Sequence, residues 1–185
     1  MSTGLIAGIV AAVLLVGIFI LVLVKRRRRS TIASALAAIA VEHIENVVVP
    51  DDIDGEIHIE HLLLTRRGVL VLDVKAYEGV VFAGDRMDQW TAIGPDGRSA
   101  FRNPLPSLYD RVAAVRQLVR DIEVTGFVVF PSGADFSKGR PSDVTLPEDL
   151  LEAYAKPDKA ELGRLIEAFA PQWDVIRQTA RSASA

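Results

Sequence analysis

The 185-residue sequence has no cysteine. That single absence excludes disulfide bonds, cysteine-ligated zinc ribbons and thiolate catalysis together. A cytoplasmic domain has the freedom to do without them. No internal repeat is present, so a stacked-repeat architecture is excluded as well. Nor is there an excess of basic residues. The formal charge is −3, from 21 Lys and Arg against 24 Asp and Glu. Five of the cations form one run, Lys25 to Arg29; setting them aside leaves 16 basic against 24 acidic residues, a balance of −8. A sequence-independent grip on a phosphate backbone needs a basic face, so this balance argues against stable DNA or RNA binding by the domain as a whole.

A third absence lies at the N-terminus, where 21 consecutive residues, Gly4 to Val24, carry no charge. As a helix this run crosses roughly 30 Å of hydrocarbon. Only Met1-Ser2-Thr3 precede it, whereas a cleaved secretory signal places basic residues before a shorter apolar core and small residues after it. Basic residues flanking a span stay on the cytoplasmic side, so the Lys25–Arg29 run directs the remainder inward. The expectation is a single-pass protein of the cell inner membrane with a cytoplasmic C-terminal domain. Its parts are an anchor and basic flank at 1–29, a domain at 30–155 and a C-terminal helical extension at 156–185. About 155 residues after the anchor are enough for one ordinary core. The small, polar Arg181–Ala185 segment is expected to fray.

From Ser30 to Glu45, Ile32, Leu36, Ile39, Ala40 and Ile44 recur at helical spacing and predict an amphipathic helix. Val47-Val48-Val49 reads as a short strand. Glu56–Leu64 and Val69–Val74, joined by Arg66-Arg67-Gly68, read as a hairpin. Short strands are expected at Tyr77–Phe82, Gln89–Ile93 and Ser99–Phe101, with Gly94-Pro95-Asp96-Gly97 as a turn. Leu108, Val112, Val115, Leu118, Val119 and Ile122 mark one face of a helix, whose Arg111, Arg116 and Arg120 read as its solvated side. Val124–Phe130 is a buried strand, Val144–Leu146 a short one, and Pro147 opens a helix. A last helix starts at the cap Asp158, buries Leu162, Leu165, Ile166 and Phe169, and is interrupted at Pro171. The sum is an α/β or α+β domain with a mixed sheet flanked by helices.

Chemistry concentrates in the hairpin. Asp73 and Lys75 stand two apart on one strand and so leave the same face. Glu60 on the partner strand can reach that face and converge with Asp73. Two carboxylates can hold Mg²⁺ through oxygen, and a lysine beside them can orient water or stabilise charge on a phosphate. Asp73 and Lys75 equally form a local ion pair where a buried strand emerges into solvent. His58 and His61, three apart on a strand, point to opposite faces, which argues against joint metal ligation. His61 then reads as a structural polar residue of the hairpin and His58 as its exposed neighbour. Trp90 and Tyr77 read as packing over a sheet edge.

Ordered motifs extend the reading. Ile59-Glu60-His61-Leu62-Leu63-Leu64 and Gly68-Val69-Leu70-Val71-Leu72-Asp73-Val74-Lys75 set two carboxylates thirteen residues apart. Tyr77-Glu78-Gly79, Trp90, Asn103-Pro104-Leu105 and Val128-Val129-Phe130 follow in order. In these features, over roughly residues 30–155, the sequence resembles the NERD (nuclease-related domain) family. The resemblance implies a fold related to the PD-(D/E)xK nucleases, with a restriction-endonuclease-like core. It also implies a phosphodiesterase site with Glu60 and Asp73 as Mg²⁺ ligands and Glu60, Asp73 and Lys75 as catalytic residues.

Departures accompany the match. Glu60 stands where the family usually has Asp, and Asp73 where it has Glu. Ser107 replaces a Gln after Asn-Pro, and residues 30–40 contain no acid to supply the family's helix carboxylate, unless Glu42 or Glu45 substitutes. Two functional readings follow: a membrane-anchored nuclease acting on DNA or RNA, or a catalytically degenerate domain serving as a membrane-tethered interaction module for a protein partner.

Overall fold

The computed structural model describes residues 31–51, 55–156 and 158–183. The apolar run and its basic flank lie outside these residues; among the described residues no helix is long and apolar enough to cross a membrane.

The hairpin is the centre of the fold. β2 (Glu56–Thr65) and β3 (Gly68–Val74) pair antiparallel about a two-residue Arg66-Arg67 turn, with His61 opposite Leu72 and Thr65 opposite Gly68. β3 also pairs in parallel with β7 (Val124–Val129), which makes it an interior strand, and core clusters on both of its faces make it apolar on both. Leu62, Leu64, Val69 and Val71 join one core cluster, and Leu63, Leu70 and Leu72 the other. Each such leucine taken out of water contributes on the order of 1.5–3 kcal/mol. The complete main sheet has the order β10-β1-β2-β3-β7-β9, with β1 at Glu42–Pro50, β9 at Val144–Thr145 and β10 at Arg181–Ser182. It is mixed: antiparallel through β10-β1-β2-β3 and parallel through β3-β7-β9.

Helices cover both faces. α1 (residues 31–39) and α3 (Pro147–Tyr154) place Ile32, Leu36, Ile39, Leu150 and Tyr154 against Leu63, Leu70 and Leu72. α2 (Leu105–Leu118) places Leu108, Val112 and Val115 against the opposite cluster, which Trp173 and Ile176 of α4 (Lys159–Thr179) also join. A second sheet, β6-β5-β4-β8, is built from β4 (Gly79–Phe82), β5 (Gln89–Gly94), β6 (Gly97–Arg102) and β8 (Ala134–Asp135). An aromatic group joins it to the end of β7: Trp90 and Phe101 lie edge to face, and Phe130 stands 6.4 Å from Trp90.

Several expectations are corrected. The helix expected over 30–45 ends by residue 39, and Glu42–Glu45 belong to a nine-residue strand in which Ile44 faces Leu62 across β2. Pairing with β2 gives this stretch a full ladder that helical periodicity alone does not register. The helix predicted to break at Pro171 runs through it to Thr179. Pro removes one backbone donor, but the turns beyond it are anchored by buried Trp173 and Ile176, while Leu162, Leu165 and Phe169 are only half-buried and Ile166 is exposed. The terminal segment does not fray through residue 183. Arg181 and Ser182 pair with Val48 and Val47, and Arg181 meets Glu56 at 2.6 Å.

Candidate functional site

Asp73 is the one buried carboxylate among the described residues, 6% exposed at the end of β3. Burying a charge is costly unless it is paired, and both its oxygens are paired. Lys75 Nζ donates to Oδ1 at 2.7 Å, and Arg111 of α2 to Oδ2 at 3.4 Å. Continuing the β2–β3 register by one residue sets Glu60 opposite Asp73. The Glu60 carboxylate reaches across the strands and accepts the backbone N–H of Val74 at 2.9 Å. Hairpin register thus brings Glu60 beside the end of β3, where Lys75 and Asp73 pair.

Arg111 was expected on a solvated helix face, and this is corrected. Its Nε donates to the carbonyl of His58 at 2.7 Å while another guanidinium nitrogen faces Asp73, so the side chain bolts α2 to β2 and β3 at once. The signal was available: 108, 111, 112 and 115 are spaced i, i+3, i+4, i+7, which puts Arg111 on the packed stripe. Arg116 is likewise engaged, donating from two nitrogens to the Val124 carbonyl. Beside Arg111 opens a groove of about 490 Å³, lined by Asp51, His58, Ser107, Asp110, Arg111 and Gln117. Ser107 lies in it, and its two acids outnumber its one arginine.

Asn103 and Trp90 serve the scaffold. Buried Asn103 donates to the carbonyls of Asp85 and Met87 and accepts from the Leu105 N–H, tying the 83–88 loop to the start of α2. Trp90 is 0% exposed and donates to the Gly84 carbonyl, so it has no face for a nucleobase. Tyr77 is stacked on Phe101 at 3.9 Å.

The two histidines of β2 have different surroundings. His58 is exposed and lines the groove, whereas His61 is half-buried against β1. There His61 meets two residues that the sequence reading placed on a helix: His43 Nε2 lies 3.1 Å from His61 Nδ1, and Glu45 Oε1 lies 3.4 Å from the former and 3.6 Å from the latter. Burial holds the His43 imidazole below its usual pKa; nearby Glu45 pulls it up and His61 adds to the lowering. Glu42, the other candidate for the missing helix carboxylate, accepts from Trp173 Nε1 at 2.9 Å and pairs with Arg177. Neither Glu42 nor Glu45 is on a helix, and both are committed elsewhere.

The nuclease-related domain family matches residues 29–131, more than half of the chain. The chain belongs to that family. The match contains the whole β2–β3 hairpin, the second sheet's antiparallel strands and α2, and ends just after β7. An uncharacterized protein of Bacillus anthracis is 28% identical over 76 residues, which is 41% of this chain. The aligned stretch spans 36% of that relative's length. No solved structure gives a significant match. Within the matched residues, Arg111 links the groove it lines to the Asp73–Lys75 pair at the end of β3.

Proposed function

We propose that this nuclease-related domain is held at the inner membrane by residues 1–29, faces the cytoplasm, and cleaves phosphodiester bonds of nucleic acid at Glu60, Asp73 and Lys75 with Mg²⁺. The observation that carries the reading is that Glu60 stands in register opposite Asp73 and accepts from the next residue's N–H, with two cations, Lys75 and Arg111, directed at Asp73.

The donor set fits the ion. Both carboxylates are hard oxygen ligands, and neither imidazole nor sulfur intrudes at this corner, which suits Mg²⁺ over softer metals. When bound, the ion supplies Lewis-acid polarisation of a phosphoryl oxygen. The protein's part is placement and charge. Glu60 is fixed by the Val74 N–H, and Asp73 is held in a low-dielectric position by two cations. Lys75 and Arg111 then lie where negative charge develops on a transferring phosphate, and prearranged cations there need no reorganisation during reaction. The common ancestry with PD-(D/E)xK nucleases belongs to the same proposal; β2, β3, β7 and α2 are its core under this reading.

A second reading, a non-catalytic interaction module at the membrane, draws on a specific observation. The cations already satisfy both oxygens of Asp73, and the adjoining groove presents Asp51 and Asp110 against Arg111 alone. The test is cleavage of labelled DNA and RNA, single- and double-stranded, by the full chain in detergent. Under the first reading cleavage needs a divalent metal and falls by on the order of 10²–10³ in Asp73→Asn and in Lys75→Ala. No cleavage with Mg²⁺ or Mn²⁺, from protein whose circular dichroism is that of a folded α/β domain, would overturn the first reading.

A further inference from the structure

We propose that His43, Glu45 and His61 form a binding site for a divalent transition-metal ion of the Zn²⁺ class, on the face of the sheet opposite Asp73. The site is independent of the nuclease reading and shares no residue with it.

Strand geometry assembles it. His43 and Glu45 are two apart on β1 and share a face, and the register sets Glu45 directly opposite His61 on β2. Leu63, opposite His43, and Leu72, opposite His61, are both fully buried and wall the cluster on the core side. Among the described residues this is the one trio of His, Cys, Asp or Glu whose donor atoms all lie within 4.8 Å of one another.

Distances decide the ligand. A tetrahedral ion with bonds of roughly 2.0–2.1 Å holds its ligand atoms about 3.3–3.4 Å apart. The three donor atoms here are separated by 3.1, 3.4 and 3.6 Å. They therefore outline one face of such a tetrahedron before any ion arrives. Two imidazole nitrogens and one carboxylate oxygen select Zn²⁺, Co²⁺ or Ni²⁺ over Mg²⁺ and Ca²⁺. The fourth position lies toward solvent, since the Glu45 side chain is 54% exposed while those of His43 and His61 are 22% and 17%. Three protein ligands with an open fourth place would leave a solvent molecule on the ion. Binding exchanges the His43–His61 hydrogen bond for two metal bonds and staples β1 to β2 where the chain leaves α1.

The test is titration of Co²⁺ into the untagged full chain in detergent, read by visible absorption. One equivalent is expected to give the intense band of tetrahedral cobalt, to be displaced by Zn²⁺, and to raise the thermal unfolding midpoint. His43→Gln and His61→Gln should abolish the band. Glu45→Gln, at a mostly exposed side chain that leaves the core intact, should weaken binding by roughly tenfold or more. Asp73→Asn should leave the band unchanged. No saturable band in the wild type, wild-type affinity in Glu45→Gln, or loss of the band in Asp73→Asn would each overturn the proposal.

Discussion

Arg111 and Asp73 are 38 residues apart in sequence and lie 3.4 Å from each other, one on a helix and the other at the end of the strand beneath it. The same guanidinium holds the His58 carbonyl at 2.7 Å. Truncation in Arg111→Ala would leave the buried Asp73 with Lys75 as its remaining cation and the His58 carbonyl without this donor. Breaking one side of a buried charge pair costs about 3–5 kcal/mol when burial is complete, and less where, as here, the arginine is partly exposed. A loss of roughly 2 kcal/mol in urea unfolding is expected, with Arg111→Lys recovering only part because one ammonium cannot serve both acceptors. Wild-type stability in Arg111→Ala would show that the bridge contributes nothing to the fold.

Gly68 closes the β2–β3 hairpin with φ +115°, a conformation L side chains rarely adopt, and a Cβ there would fall 2.3 Å from the Glu123 carbonyl oxygen. That oxygen cannot step aside, because it accepts the Val69 N–H at 2.8 Å. Gly68→Ala should therefore destabilise the domain by roughly 2–4 kcal/mol, from backbone strain and overpacking together. Gly97, at φ +102° with open space around its Cβ direction, isolates the strain component. Gly97→Ala should cost less than half as much in the same denaturation experiment; equal effects would mean that the Glu123 contact is immaterial.

How far the sequence discloses this arrangement depends on the range of the interaction. The hairpin, α2 and the Asp158 cap are local, and their residues announce them: alternation into an apolar run, a helical stripe, and an Asp whose carboxylate accepts from Ala160 and Glu161 at 2.9 Å. The register that sets Glu60 opposite Asp73 follows from a two-residue turn, so it too was legible. What escaped was non-local. Ala-rich helical spacing runs on past residue 39 into His43–Glu45, and nothing in those residues states that β2 will claim them as a strand. With β1 mistaken for helix, the meeting of His43 and Glu45 with His61 could not be drawn. The Pro171 error has the same root: Trp173 reaches Glu42 across 131 residues and keeps the helix whole beyond the proline.

Tyr109 provides a test at high pH. Its hydroxyl donates to Asp143 Oδ2 at 2.8 Å, and its pKa is pushed up from 10.0 to about 12, first by partial burial and then by that hydrogen bond and the Asp143 charge. The folded protein holds this proton more tightly than the unfolded chain. The associated stability is full below pH 10, and falls as pH rises through 10 toward 12. Tyr109→Phe should flatten that part of the stability–pH curve without altering its slope near neutrality. A curve identical to the wild type between pH 10 and 12 would remove Tyr109 as the cause.

The most discriminating change at the candidate site is Glu60→Asp. It restores the carboxylate that the family usually carries at this position while leaving Asp73 in place of the usual glutamate. Shortening by one methylene withdraws the carboxylate from the Val74 N–H that it now holds at 2.9 Å, so the group is released toward whatever lies between β2 and Asp73. A detuned Mg²⁺ site would respond with higher cleavage, since ligand placement within a few tenths of an ångström governs binding to an ion that demands near-ideal geometry. A site in which Asp73 serves only to neutralise Lys75 and Arg111 would not respond, and Glu60→Asp would register as a stability loss of roughly 1 kcal/mol for the lost backbone hydrogen bond. Rates on labelled DNA and RNA, measured beside urea midpoints for the same preparations, separate the two: a rate gain with unchanged or reduced stability supports the metal-dependent phosphodiesterase. No rate in either protein, with the stability loss present, assigns the corner to holding α2 on the sheet and leaves the interaction reading in its place.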